Sequence, residues 1–155
     1  MSASKPPTAT ADTHIAADAG AVYALITDLE VMTTLAAETT SMTWHKGTPG
    51  QPGAVFRGEN RHGSRSWTTT CTITDAAPGQ LFAFDVKSLV IPVAHWRYEI
   101  IPVDDGCRVT ESTWDHRPGW FRKVAHIATG VKDRTGANAE HIKITLQRLK
   151  ERAES

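Results

Sequence analysis

The fold is decided by the stretch Ala54-Val-Phe-Arg-Gly-Glu-Asn-Arg-His-Gly-Ser-Arg-Ser-Trp-Thr-Thr-Thr-Cys-Thr-Ile73. Phe56 alternates with Arg57, which is the two-residue period of a β-strand with one apolar face. Arg61-His-Gly-Ser64 is a hairpin signal. The run from Trp67 to Ile73 is rich in β-branched residues, which favour strands. The stretch therefore predicts two antiparallel strands, Ala54 to Asn60 and about Arg65 or Ser66 to Ile73.

The same two-residue period continues on both sides of this hairpin. Upstream, Thr39 to His45 is a predicted strand that ends at the turn-rich segment Lys46 to Gly53. Downstream, turns are predicted at Asp75 to Gly79 and at Pro102 to Gly106, and the remaining strands are Leu81 to Val86, Ala94 to Ile101 and Cys107 to Trp114. Short turns without intervening helices indicate an antiparallel meander, because parallel strands need long crossovers.

The segment before the meander has a short strand and a helical period. Ala11 to Ala16 is a predicted strand, and Asp18 is a suitable N-cap for the helix that follows. Apolar residues then recur at three- and four-residue spacings, at Val22, Leu25, Ile26 and Leu29. A second short helical piece is predicted around Val31 to Ala36.

The period becomes helical again from Trp120 for roughly 30 residues. Gly130 is a predicted kink or break. The apolar seam of this long helix is Val131, Thr135, Ile142, Leu146 and Leu149. The predicted fold class is therefore α+β: a curved antiparallel β-sheet wrapped around a long C-terminal helix, with a short N-terminal helix. A twisted meander curls, and one helix in its concave side leaves room for a pocket at one end.

Length and composition fit one ordinary globular domain. The chain has 155 residues, of which 40% are hydrophobic and 22% charged. Residues 1–9 are predicted to be a disordered leader and residues 10–155 a single domain. Seventeen basic and seventeen acidic residues balance, so no charge excess favours nucleic acid or an anionic membrane. The basic residues near the C-terminus alternate with glutamates and predict a solvated helix face.

The sequence shows no secretory signal and no apolar run long enough to span a membrane. Neither membrane insertion nor binding to nucleic acid is expected. Cys71 and Cys107 both fall in predicted strands, and without a secretory signal they are predicted to be buried thiols. The expected location is the cytoplasm. The sequence indicates no oligomeric state, and a monomer and a homodimer both remain open.

Alternation places the aromatic residues of the strands on one face. Charged residues such as Arg57 and Glu99 fall on the other face, so the aromatic face is predicted to be concave. Its rings either fill the core or line a ligand cavity. The predicted ligand-binding residues are Phe56, Asn60, Trp67, Thr69, Cys71, Phe82, Phe84, Trp96, Tyr98 and Glu111.

Three of these residues are polar and are the candidates for chemistry. Asn60 either orients a ligand carbonyl or bonds to a neighbouring turn. Tyr98 and Glu111 are the catalytic candidates. The Tyr98 hydroxyl either acts as a donor or acid or is satisfied by a local hydrogen bond. A desolvated Glu111 carboxyl has the raised pKa that a general acid or base needs. The alternative for Glu111 is an ion pair with Arg97 or Arg108 at a strand edge.

Other kinds of site are not indicated. The seven histidines do not cluster and metal-ligand motifs are absent, so neither a metal nor a cofactor is expected. Asp115 and His116 are adjacent on a strand and point apart, which argues against a dyad. Trp114, Trp120 and Phe121 lie where the last strand passes into the long helix. They form either a hydrophobic hinge or, if exposed, a lid or a protein contact.

Several ordered segments resemble a known family. They are Ile15 to Leu29, Gly53-x-x-Phe56-x-Gly58-x-Asn60, Trp96-x-Tyr98, Gly106-Cys-Arg-Val-Thr-Glu111 and Thr145 to Glu151. Their order over about residues 10–152 resembles the SRPBCC superfamily with its helix-grip, START-like fold, and within it the polyketide cyclase/dehydrase and lipid transport proteins. The resemblance implies a cavity for lipids, polyketides or similar ligands.

The fold hosts several functions, so three hypotheses stay open. The first is binding of a hydrophobic small molecule without defined catalysis. The second is a polyketide cyclase- or dehydratase-like enzyme that uses polar residues of the cavity. The third is a protein-interaction module. Converging polar groups in a cavity favour the enzyme, an apolar cavity favours the binder, and a filled core with exposed tryptophans favours the interaction module.

Overall fold

The structure is a computed structural model that describes residues 5–129 and 134–155. Over these residues the chain forms seven strands and four helices. In chain order they are β1 (Ala9–Ile15), α1 (Ala19–Ile26), α2 (Leu29–Leu35), β2 (Thr39–Lys46), β3 (Val55–His62), β4 (Arg65–Ala77), β5 (Leu81–Ser88), β6 (Ile91–Val103), β7 (Gly106–Asp115), α3 (Gly119–Thr129) and α4 (Arg134–Glu154).

The strands form one antiparallel sheet in the order β1-β7-β6-β5-β4-β3-β2. β2 to β7 are the predicted meander, and β1 is added beside the last strand. α4 packs against β1 and β7 on the concave side. The curled sheet around a C-terminal helix confirms the predicted helix-grip fold.

One predicted turn is too early. β4 continues past Ile73 to Ala77, with a register shift between Ile73 and Asp75. The turn forms only at the next residues, where the Gln80 N–H donates to the Ala77 carbonyl over 2.9 Å and Gly79 has a φ of 76°. Glycine alone adopts this φ without strain. Asp75 to Ala77 therefore stay free to pair with β5.

β1 begins earlier than predicted, within the segment expected to be a disordered leader. Ala9 is buried and pairs with Thr113 of β7. The Thr8 N–H donates to the Thr113 carbonyl, and the Trp114 indole N–H donates to the Lys5 carbonyl over 3.0 Å. These hydrogen bonds attach the segment of residues 5–9 to the sheet and correct that part of the prediction. Residues 1–4 lie outside the described residues.

Two aspartates start the two short helices. Asp18 accepts hydrogen bonds from the N–H groups of Gly20 and Ala21, which confirms the predicted N-cap of α1. Asp28 does the same for α2 and accepts from Glu30 and Val31. α2 therefore starts at Leu29, two residues before the predicted piece. Both helices bury their apolar side, through Val22 and Ile26 in α1 and Leu29, Val31, Met32 and Leu35 in α2.

The predicted long C-terminal helix, with its kink or break at Gly130, corresponds to two described elements, α3 and α4. α3 contacts β4, whereas α4 contacts β1 and β7, so the two helices cover different parts of the sheet. The predicted break at Gly130 and the seam residue Val131 lie outside the described residues. Thr135 is exposed, contrary to the prediction, because the buried seam of α4 begins only at Ile142 and continues with Thr145, Leu146 and Leu149.

The core lies between the concave face and the helices, and it includes Ile15, Val22, Ile73 and Leu149. Cys71 and Cys107 are both buried free thiols, as predicted. Among the described residues, no helix is long and apolar enough to cross a bilayer.

Candidate functional site

A cavity of about 240 Å³ lies between the concave face and the helices. The buried residues of α4 begin at Ile142, and the turns before it border the cavity through Arg134, Asn138 and His141. The residues around the cavity come from the end of α2 and the loop after it, the strands β2 to β7, Arg117 after β7, Phe121 of α3, and α4 as far as Thr145. The predicted pocket beside the helix is therefore present.

The wall of the cavity is mainly apolar. Its large side chains are Met32, Met42, Phe56, Trp67, Phe84, Val86, Val93, Trp96 and Phe121. Phe56 is held by edge-to-face contacts with Trp44, at 5.6 Å between centroids, and with Phe84, at 5.3 Å. Such contacts orient aromatic rings, so this part of the wall is well defined.

Nine of the ten predicted ligand-binding residues line the cavity. They are Phe56, Asn60, Trp67, Thr69, Cys71, Phe84, Trp96, Tyr98 and Glu111. Phe82 does not, although it shares the face of Phe84. Its ring lies 6.3 Å from that of Tyr23 and is 2% exposed. The cavity occupies one end of the concave face, and Phe82 belongs to the packed end beneath α1.

Tyr98 and Glu111 are brought together at the cavity. They sit opposite each other on β6 and β7, and the Tyr98 hydroxyl donates to Glu111 Oε2 over 2.7 Å. Both are buried, with 3% and 2% exposed. Burial raises the pKa of Glu111 to about 8, although the hydrogen bond from Tyr98 opposes the shift. Burial, reinforced by the neighbouring Glu111, raises the pKa of Tyr98 well above its usual value.

The alternative ion pair of Glu111 with an arginine is wrong. Arg97 lies 3.2 Å from Glu99, and Arg108 lies 3.1 Å from Asp12. Both arginines have the opposite strand phase from Glu111 and lie on the outer face. Glu111 Oε1 has no hydrogen-bond partner among the described residues.

Asn60 is satisfied by its neighbours in the sheet. Its Oδ1 accepts from the Thr39 hydroxyl over 2.9 Å, and its Nδ2 donates to Thr69 Oγ1 over 3.1 Å. Longer bonds from Nδ2 reach the carbonyls of Gly58 and Trp67. This cross-strand arrangement favours the structural role over orientation of a ligand.

A charged cluster at the cavity was not found from the sequence. Arg134 of α4 donates to Glu38 over 2.8 Å, and His141 and His62 lie 3.9 and 3.7 Å from the same carboxylate. Burial lowers the pKa of His141, and the nearby Glu38 only partly opposes this. The Arg134 guanidinium lies 5.8 Å from the Trp67 ring centroid. Glu38 follows α2 in a loop, so no periodicity marked it.

A second, half-buried charge pair borders the cavity at the end of β7. Arg117 donates to both carboxylate oxygens of Asp115, over 3.0 and 2.8 Å. Burial alone would raise the pKa of Asp115, but the hydrogen bonds and charge of Arg117 lower it overall. His116 points away and stacks on His95. Asp115 and His116 thus point apart, as predicted, and Asp115 pairs with Arg117, a residue that no sequence pattern marked.

The three aromatic residues at the end of β7 and the start of α3 have separate roles. Trp114 packs against Arg97, whose guanidinium is 4.6 Å from its ring centroid. Phe121 lines the cavity, and Trp120 is 61% exposed.

The described residues contain no group of three or more His, Cys, Asp or Glu side chains placed to hold a metal ion.

Comparisons with known proteins agree with this architecture. The family model described as polyketide cyclase / dehydrase and lipid transport matches residues 6–154. Among curated proteins, none is significantly similar in sequence. The polyketide-cyclase-like protein Cgl2372 from Corynebacterium glutamicum is 25% identical, with a TM-score of 0.61 over 91% of this chain and 87% of its own.

Two more distant structures share the fold. Ara h 8.0201 is 10% identical, with a TM-score of 0.68 over 93% of this chain and 95% of its own. The di-domain ARO/CYC protein StfQ from the steffimycin biosynthetic pathway is 12% identical, with a TM-score of 0.73. That match covers 94% of this chain and 50% of StfQ, so this chain spans about half of that protein.

Proposed function

The chain belongs to the polyketide cyclase/dehydrase and lipid transport family, and on this premise we propose that its cavity binds a hydrophobic small molecule of the lipid or polyketide type. The observation that carries the proposal is the cavity itself, whose wall is formed mainly by aromatic and aliphatic side chains. Apolar walls with few polar groups are typical of small-molecule sites.

Hydrophobic burial supplies the affinity in this proposal. Each Å² of apolar surface removed from water contributes roughly 25 cal/mol, and the rings of Phe56, Phe84 and Trp96 offer such surface without much conformational entropy to lose. The aromatic wall also suits a flat, ring-containing ligand, because rings stack or meet edge to face. A cavity of about 240 Å³ favours a compact ligand, or the buried end of a longer one.

An enzyme of the cyclase or dehydratase type is the second candidate. The pair Tyr98–Glu111 supports it, because a buried carboxyl with a pKa of about 8 has the proton affinity of a general acid or base. Loss of substrate turnover in Glu111→Gln at unchanged ligand affinity would favour the enzyme over the carrier. The interaction module has less support, since the core beneath α4 is not filled, although Trp120 is exposed.

The partner in this proposal is thus a small molecule, and the place of action is the cytoplasm. Two buried free thiols are usual in a reducing compartment.

Native mass spectrometry of the purified protein is the test, followed by denaturing extraction of whatever is bound. We expect an apolar ligand to co-purify, or a long-chain fatty acid or fused-ring aromatic polyketide to raise the melting temperature. Ala37→Trp, at the cavity, should weaken binding, whereas Ala24→Trp, on the exposed side of α1, should not. A ligand-free mass combined with no thermal shift from any probe would refute the proposal.

A further inference from the structure

The start of α4 is attached to the wall of the cavity through a single carboxylate. Arg134 donates a hydrogen bond to Glu38 over 2.8 Å, and both side chains are largely buried. The main chain of Glu38 is fixed to the sheet, because its carbonyl accepts from the Arg61 N–H over 2.8 Å. The buried seam of α4 begins only at Ile142. The turns before Ile142 therefore depend on this ion pair for part of their attachment to the sheet.

Two histidines face the same carboxylate. His141 Nδ1 lies 3.9 Å from Glu38 Oε1, and His62 Nδ1 lies 3.7 Å from Oε2. Both distances are too long for hydrogen bonds, and Oε2 has no hydrogen-bond partner among the described residues. Arg134 is always charged and already neutralises the carboxylate, so a proton on either ring adds a positive charge to a neutral cluster. We refer to Glu38, Arg134, His62 and His141 as the rim cluster, because His62 is half exposed and the cluster thus lies where the cavity wall meets solvent.

Protonation of His141 is unfavourable while α4 is attached. Burial lowers the pKa of this ring, and the charges of Arg134 and His62 act in the same direction. Glu38 and Glu140 oppose the shift without reversing it. These four are the titratable or charged groups that act on the ring, from the loop after α2, the end of β3 and α4 itself. A ring whose pKa is lower in the attached state than in water is protonated more readily after detachment, so acid favours detachment.

We infer that the rim cluster is an acid-sensitive latch, which holds the start of α4 against the sheet at neutral pH and releases it on protonation, so that a bound ligand leaves faster in acid. The part that concerns the ligand rests on the proposed function of the cavity. Asn138 and His141 line the cavity from α4, and Glu38 lines it from the loop after α2. Separating them widens the opening and uncovers the Trp67 ring, which lies 5.8 Å from the Arg134 guanidinium. Histidine is the side chain that ordinarily changes charge between about pH 5 and 8.

Release of an apolar probe tests the latch. N-phenyl-1-naphthylamine is fluorescent and stays uncharged in the pH range used, and Glu111 stays mostly neutral there because its pKa is about 8. We expect the dissociation rate of this probe from the wild-type protein to rise by roughly fivefold or more between pH 7.0 and pH 5.5, a coupling of ordinary size between two sites. His141→Gln should flatten this pH dependence. His45→Gln, which changes an exposed histidine of β2, should retain it.

Amide hydrogen exchange of the ligand-free wild-type protein tests detachment directly. After correction for the intrinsic effect of pH, residues 134–141 should exchange faster at pH 5.5 than at pH 7.0, whereas residues 142–149, which contain the buried seam, should not. Probe release at a rate independent of pH, or an acceleration that persists in His141→Gln, would overturn the inference and leave the hydrophobic site standing. A probe that binds at neither pH would count against the proposed function, and unchanged exchange in residues 134–141 would overturn the latch separately.

Discussion

The hydroxyl of Tyr98 and the carboxyl of Glu111 meet across the β6–β7 ladder at 2.7 Å, with both side chains almost completely buried. Two ionisable groups removed from water in this way are costly unless at least one stays neutral. Here both are held neutral near pH 7, because burial raises the pKa of each. The pair is therefore a neutral hydrogen-bonded unit, and several measurable consequences depend on its ionisation.

The Glu111→Gln variant should change how stability depends on pH. The folded pKa of Glu111 is about 8 against a usual value of 4.5, so the folded state holds a proton that the unfolded state has released between these pH values. Stability of the wild type should therefore fall as pH rises from about 4.5 to about 8 and level off above it. The difference from Glu111→Gln should reach at most on the order of 3–5 kcal/mol over that range.

Urea unfolding of both proteins at a series of pH values provides the measurement. Other groups, such as Asp115 with its lowered pKa, affect wild type and variant alike and cancel in the difference. A difference that stays constant with pH would show that Glu111 is not perturbed in this way.

Tyr98→Phe should raise the pKa of Glu111 further. The hydroxyl of Tyr98 donates to the carboxyl and favours its charged form, so removing the hydroxyl leaves desolvation unopposed. Loss of this buried bond should also cost about 1 kcal/mol of stability. Titration of the ¹³C-labelled glutamate carboxyl by NMR gives the pKa directly. Tyr23→Phe is the matched control, and a lower pKa of Glu111 in Tyr98→Phe would contradict the assigned hydrogen bond.

Glu38 and Arg134 should show strong energetic coupling. Their side chains are only 13% and 14% exposed and connect the loop after α2 to the first turn of α4. A double-mutant cycle with Glu38→Gln and Arg134→Met should give a coupling of about 1–3 kcal/mol. The exposed pair Lys150–Glu154, within one helix, should give about 0.3–0.5 kcal/mol. Equal coupling energies for the two pairs would indicate that burial does not strengthen the interaction between Glu38 and Arg134.

Phe82 and Phe84 should respond differently to truncation. Phe82→Ala should cost about 3–5 kcal/mol, because the ring is packed in the core. Phe84→Ala should cost less and should enlarge the cavity, because that ring already borders open space. Denaturant unfolding measures the cost, and binding of a larger aromatic probe measures the space. Equal costs would place Phe84 in the core rather than at the cavity.

Much of the cavity wall is predictable from the sequence because alternation fixes the face of each strand residue. Phe56, Thr69 and Trp96 were assigned to the concave side from phase alone. The pairing of Tyr98 with Glu111 can also be predicted from the sequence. Val103 pairs with Gly106, so the β6–β7 turn has two central residues, and this register puts Tyr98 opposite Glu111.

Features that depend on distant segments were not predictable in this way. Glu38 and Arg134 are 96 residues apart, in a loop and a helix whose relative position no local pattern specifies. The assignment of Phe82 to the cavity failed for a related reason. Strand phase gives the face of a residue, but the position of α1 along that face decides which part is filled.

The pairing of β1 with β7 has a consequence for the order of folding. Ala9 is joined to Thr113, so β1 leaves the ribosome well before the strand that completes it. Closing a loop of roughly a hundred residues is slow compared with forming the local hairpins of the meander. α4 packs on both of these strands, so the surface that it packs against is complete only after they pair. The cavity is therefore completed late, after the hairpins that form its wall.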